Sequence, residues 1–363
     1  LGSAAMLAAT ALKSWLEETG TPGRVRYYGC PAEEGGAAKS FMARAGAFDG
    51  VDVAITWHPS AHHEVAKPLS LANTRMDFAF RGRSSHAAAS PHLGRSALDA
   101  AELMNVGVQF LREHVPQDSR IHYAFLDAGG VAPNVVQAKS TVRYAIRSRD
   151  VHAMFELNER VKRVAHGAAI MTDTEVDISI MSAVSNLLGN RPLEEAMQRN
   201  LEALGPVPFD QADLAFAAEI QATLTPEEID NCYRKTGVKP ADPKPLSDYI
   251  IPLDTHGEVM IGSTDVGDVS WVIPTVQAHV PTMAIGTPGH SWQLTAQGKM
   301  PAAHKALGHV AKVMAATAVD VLTDKILMAQ MKKAHFEQVS EKPYHCPIPA
   351  EVKPPIQPRP DTL

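Results

Sequence analysis

Arg24-Val-Arg-Tyr-Tyr-Gly-Cys-Pro-Ala-Glu33-Glu34-Gly-Gly36 is the run whose reading decides the fold. Residues 24 to 28 alternate and carry two tyrosines, the pattern of a short strand, and Gly29 closes it. Two adjacent carboxylates then stand where a strand gives way to a glycine-containing loop. Neighbouring side chains on extended backbone point in different directions, so one carboxylate can bind a metal while the other faces a substrate or water. Alone, a Glu-Glu pair reads as a solvated acidic turn. The flanking sequence changes that reading.

Before the run, residues 4 to 18 form an alanine-rich helical pattern suited to tight packing on a sheet, closed by Gly20, Pro22 and Gly23. After it come a short helix from Ala37 to Arg44 and an apolar strand, Val51 to Trp57, ending in His58-Pro59. Strand, helix and strand with short connections predict parallel pairing, and ligands collect beyond the carboxyl ends of such strands. Glu33, Glu34 and His58 all fall there.

The texture changes near residue 70. Strand patterns at 70–80, 121–126, 140–147 and 174–180 enclose helical patterns at 96–113 and 152–170. That order is the split βαβ of a ferredoxin-like sandwich. The expected architecture is therefore α/β, an open mixed sheet flanked by helices, with residues 70–180 inserted as a small α+β lid between catalytic portions 1–69 and 181–363. Past Arg191 the chain returns to helix, with a proline-rich loop at 236–247, a strand expected at Thr282–Ile285 and a helical pattern over 302–334 in two pieces. The tail from Pro347 is expected to be extended on the surface.

At 363 residues the chain is long enough for two cores. A net charge of −6 gives no general attraction to nucleic acid or anionic membrane. Three scattered cysteines, Cys30, Cys232 and Cys346, make no disulfide framework, which points to a cytoplasmic setting. Sixteen histidines invite a search for a metal or acid-base site.

Glu34, His58 and His290 each stand in a loop after an apolar run, and mixed histidine and carboxylate ligands suit zinc, manganese or a related divalent ion. His62 and His63 compete with His58 for that role. Glu33, beside a ligand, is placed to be the general base. His86 lies in a flexible small-residue turn. Asn134 either caps a turn or reaches a ligand, and Arg147 makes either a surface ion pair or an anion clamp. Asp265 and Asp268 read as helix caps and Cys30 as structural.

Pro31-Ala-Glu33-Glu34-Gly-Gly, Thr56-Trp-His58-Pro, Gly82-Arg-Ser-Ser-His86-Ala, Pro133-Asn134-Val-Val and Gly286-Thr-Pro-Gly-His290 follow one another in the order found in the dinuclear metallopeptidases. The chain resembles their amidohydrolase branch, with aminoacylases and indole-acetyl-amino-acid hydrolases. Three further runs, Ser90–Asp99, Ser263–Trp271 and Pro343–Pro349, narrow the resemblance to hydrolases of p-aminobenzoyl-glutamate.

The resemblance implies that Glu33 is the base, that Glu34, His58 and His290 are metal ligands, and that His86 steadies the oxyanion of the partner subunit's site. It implies that Asn134 and Arg147 hold the substrate carboxylate. It further implies two Mn or Zn ions, a small-molecule N-acyl amino acid substrate, and a homodimer or a heterodimer with a related subunit. Family members also carry a His-x-Cys-Gly-His segment upstream of this stretch, and residues 1–363 do not contain it. The expectation is that the missing ligands precede Leu1, and that this chain alone binds metal weakly and turns over little. The alternatives are a catalytically incomplete assembly subunit, or an aminoacylase for other N-acyl amino acids.

Overall fold

In the computed structural model, which describes residues 1–257 and 262–356, the strands fall into two sheets. The first is small and mixed. Its centre is β7 (Thr275–Pro281), with β1 (Ala54–Ser60) parallel on one side and β2 (Glu64–Val65) antiparallel on the other. Helices α1 (Gly2–Thr19), α5 (Arg191–Leu204), α10 (Pro301–Thr323) and α11 (Lys325–Val339) pack around it. Ala4, Ala8 and Leu12, four residues apart along α1, present a low-relief face that lets α1 lie close to α10. By length and composition α10 could cross a membrane, but here its Ala306, Val310 and Val313 are buried among Trp57, Val276, Ala278 and Met197. The long C-terminal helical pattern breaks at Asp324, whose carboxylate accepts from the amides of Ile326 (2.8 Å) and Leu327 (3.1 Å) and so starts α11.

The second sheet contains β3 (Ala72–Arg81), β4 (Arg120–Asp127), β5 (Lys139–Ser148) and β6 (Glu175–Val184), ordered β4-β5-β3-β6 and antiparallel throughout. With α3 (Ala97–Arg112) and α4 (Val151–Thr172) it forms the ferredoxin-like unit that the sequence leads one to expect. One face is dry: Met76, Phe78, Phe80, Val142, Tyr144 and Ile146 pack on Ala100, Met104, Val108, Leu157 and Val161. The alternate residues Asn73, Arg75, Asp77, Arg143 and Arg147 form a polar face.

Several expectations need correction. Residues 24–28 run without strand pairing, and a cavity of about 620 Å³ lies between them and β1, so the pattern lacks the neighbour a strand requires. The strand placed at 282–285 is instead β7, seven residues earlier in its start. His58 sits within β1 rather than beyond it. The tail is irregular as expected, but it is not simply a surface strap. Ile348 is buried against Phe41 and Ala183, and the stretch 357–363 lies outside the described residues.

Candidate metal centre and active site

Glu33 and Glu34 occupy an exposed turn in which the amides of Gly36 and Ala37 both donate to the Ala32 carbonyl at 2.9 Å. Ala32 (φ 56°) and Ala37 (φ 51°) bracket it in the left-handed region, as does His290 (φ 56°) in the facing loop. Only one other described non-glycine residue, Asp173, shares that conformation. Such backbone costs of order 1–3 kcal/mol per residue and persists where the surroundings enforce it.

The enforcement comes from α2 (Ala38–Arg44), which begins directly after the turn. Asp265 accepts from the Lys39 amide (3.0 Å) and pairs with the Lys39 ammonium (2.7 Å). Fully buried Asp268 accepts from Ser40 Oγ (2.7 Å), the Ser185 amide and hydroxyl (both 3.0 Å) and Tyr344 Oη (2.8 Å). Burial still pushes its carboxyl above the usual range. Asp265 stands at the N-cap position of α8 (Val266–Val272) but its side chain makes no capping hydrogen bond, and Asp268 lies within the first turn of that helix, which corrects the reading of both as side-chain caps. Their carboxylates instead reach across the fold to fasten α2.

His290 Nε2 stands 3.8 Å from Glu34 Oε1. Two ligands of one tetrahedral ion, bonded at about 2.0–2.1 Å, stand roughly 3.4 Å apart, so this pair is close to a shared-ion spacing. His58 donates from Nδ1 to the Pro59 carbonyl at 2.7 Å, because a carbonyl can only accept. Its Nε2 is therefore left with a lone pair, the tautomer a metal ligand needs. Burial, then the neighbouring His279, lowers the His58 pKa, and the charge of Glu34 opposes them. The donor chemistry fits a divalent ion, but the assembly is incomplete: among the described residues no three His, Cys, Asp or Glu side chains come within reach of one ion.

Other expected participants lie apart. His86 and Asn134 lie on adjacent stretches of the lid, where His86 bridges to Val135 and the Ala87 amide donates to the Asn134 carbonyl at 2.9 Å. The amides of Ala88 (3.3 Å) and Ala89 (3.1 Å) donate to His86 Nδ1, which leaves Nε2–H free to donate from an exposed ring. No hydrogen bond or ion pair among the described residues joins His86 or Asn134 to Glu33, Glu34 or His58. Arg147 reaches Ser263 Oγ at 3.4 Å, while its buried Nε has no partner. His62 and His63 turn inward, the first between Cys232 Sγ and Tyr249 Oη (each 3.3 Å), the second onto the Val207 amide (2.9 Å).

Sequence reasoning missed Glu64 and His279. Register places His279 directly across from both His58 and Glu64, and Glu64 Oε1 holds His279 Nδ1 at 3.0 Å. Burial alone would push the Glu64 carboxyl up, but the hydrogen bond and charge of His279 outweigh it and the carboxyl titrates below its usual range. The signal was available in the polar Gln277 and His279, two apart in an apolar run.

No family model matches the chain. In Escherichia coli strain K12, the p-aminobenzoyl-glutamate hydrolase subunit lettered B is 44% identical over 364 residues, spanning 98% of this chain and 76% of that protein. A mouse Xaa-Arg dipeptidase is 29% identical over 90% of this chain and 66% of its own length. Among solved structures, a Bacillus subtilis dinuclear metal-binding peptidase of the M20 family superposes with TM-score 0.52 at 17% identity, covering 87% of this chain and 70% of that one. An aminobenzoyl-glutamate utilization protein from Klebsiella pneumoniae also gives 0.52, at 18% identity over 85% and 66% of the two chains. The fold is thus that of the M20 metallopeptidases. Within that class, the chain belongs to the family of the Escherichia coli p-aminobenzoyl-glutamate hydrolase protein that it matches over nearly its whole length.

Proposed function

We propose that the chain is part of a metal-dependent amidohydrolase that cleaves p-aminobenzoyl-glutamate to p-aminobenzoate and glutamate. The observation that carries this is the 44% identity extending over 98% of the chain. A Mn or Zn ion held by Glu34, His58 and His290 would polarise the scissile carbonyl and acidify water. Glu33 takes the proton of the attacking water and returns it to the leaving nitrogen. The His86 Nε2–H donates to the developing oxyanion, and Asn134 and Arg147 hold the α-carboxylate.

The test is release of p-aminobenzoate by the protein purified together with a related subunit. Chelation should lower the rate at least about 100-fold, and added Mn or Zn should restore it. No release under any metal condition would sink the reading. The unassembled ligand set favours a second reading, a non-catalytic assembly subunit, and release that is undiminished without this chain would select it.

The partner is read as a second copy or a related subunit docking on the lid. Another, differently lettered component of the Escherichia coli p-aminobenzoyl-glutamate hydrolase is 28% identical over 46% of this chain. On α3, Leu103, Val106 and Phe110 form an exposed stripe at helical spacing, with Phe110 70% open. Beside it β4 is an edge strand with Tyr123, Phe125 and Leu126 exposed, tied to α3 by Arg112 donating to the Ile121 carbonyl at 2.5 Å. The separation of His86 from Glu33 within one chain supports a site shared between subunits. Val106→Asp with Phe110→Asp should convert the dimer to monomer in light scattering. An unchanged mass places the interface elsewhere.

A further inference from the structure

The polar face of the lid sheet carries two arginines that no described carboxylate neutralises. Arg143 is held by Asp77 in a two-point pair (2.7 and 2.8 Å), and Arg81 is paired with Asp177. Arg75 and Arg147 have no carboxylate partner among the described residues. Arg147 Nε is buried without a hydrogen bond, and burial together with the charge of Arg75 lowers the Arg147 pKa. Arg120, opposite Arg147 in register, uses its guanidinium on the carbonyls of Gln117 and Ser119.

Two half-buried guanidinium groups that repel each other and leave a donor unmet are in a costly arrangement unless an anion joins them. Their position says which anion. Arg75 Nη1 donates to the Glu34 backbone carbonyl at 3.4 Å, so this cationic patch abuts the Glu33–Glu34 turn. A substrate whose amide lies at that turn would bring its own negative charge to the patch. If Arg147 holds the α-carboxylate, the neighbouring Arg75 is left for a second one.

We propose that Arg75 is a specificity-determining residue that binds the side-chain carboxylate of an acidic amino acid, with Arg147 and Ser263 taking the α-carboxylate. The enzyme therefore prefers amides of dicarboxylic amino acids to those of neutral ones. The inference rests on the amidohydrolase reading above, and it adds a residue and a selection rule to it.

The experiment compares p-aminobenzoyl-glutamate with p-aminobenzoyl-leucine, using wild type, Arg75→Gln and Arg75→Lys in the assembled enzyme. For Arg75→Gln, KM for the glutamate amide should rise about 10- to 100-fold, the span of one charged hydrogen-bonded pair, with kcat within about threefold. The leucine amide should be unaffected. Arg75→Lys, which keeps the charge but loses the two-pronged fork, should fall between.

A second arm titrates glutarate and butyrate calorimetrically without turnover. Glutarate should weaken by the same factor in Arg75→Gln, and butyrate should not change. If no amide is hydrolysed but the glutarate difference persists, the hydrolase reading fails and the anion site stands. If Arg75→Gln harms both substrates equally and leaves glutarate binding intact, Arg75 merely braces the lid against the Glu34 carbonyl and the proposal is overturned.

Discussion

Replacing Glu33 by glutamine will lower p-aminobenzoyl-glutamate hydrolysis by about 10²- to 10⁴-fold, the usual worth of a positioned general base. Metal content will remain at the wild-type level. Glutamine matches the size of glutamate and keeps a hydrogen-bonding oxygen, but it cannot accept a full proton at neutral pH. The turn itself should survive the change. Its geometry is enforced from outside, by the Ala32 carbonyl and by the fastening of α2 to Asp265 and Asp268. Glu34→Gln is the contrasting variant. Its oxygen is the one facing His290 at 3.8 Å, so losing the charge there should release metal as well as activity. Rates are to be measured in the enzyme assembled with its related subunit, with metal assayed on the same samples. A Glu33→Gln enzyme that turns over normally would return this pair to a solvated acidic turn, the reading it invites on its own.

The lid could be read directly from the sequence because its sheet has one dry and one wet face. Each strand from β3 to β6 therefore betrays itself by alternation, and each helix by an apolar stripe. The catalytic sheet is harder for the opposite reason. β7 is covered on both sides, so its run Thr275-Val-Gln-Ala-His-Val-Pro281 shows no regular alternation, and its polar residues look out of place until Glu64 is seen beside His279. Residues 24–28 err in the other direction, since they alternate well but a strand is a relation between neighbours.

The candidate site divides along the same line. Glu34 and His290 were legible because both sit in glycine-bearing loops, where side chains can converge. Arg75 was not legible. On the wet face of a strand one more arginine is unremarkable, and only its approach to the Glu34 carbonyl, across 41 residues of chain, sets it apart.

The fold will lose about 3 kcal/mol between pH 7.5 and pH 4.5 through His63 alone, and about 4 kcal/mol by pH 3. His63 is fully buried, and burial together with His309 drives its pKa down from 6.5 to about 3. The surrounding groups that act on it are His309, the Tyr249 backbone, His62 and Asp248, with the Val207 amide donating to Nε2 at 2.9 Å. Because Nε2 accepts from the Val207 amide, Nδ1 carries the proton of the neutral ring, and a second proton would have to enter at Nε2, facing that donor.

The sign follows from comparing the two states. Because the folded pKa lies below the unfolded one, the unfolded chain binds the proton first as pH falls. The stabilisation is complete above about 6.5 and drains away between there and about 3. Urea unfolding of the metal-free protein at a series of pH values measures the loss directly. His63→Gln, whose amide oxygen can still accept from Val207, should start less stable at pH 7.5 yet show an acid limb flatter by about 3 kcal/mol at pH 4.5. Parallel acid limbs in the two proteins would assign the lability to other groups, with His309, also lowered by burial, the next to replace.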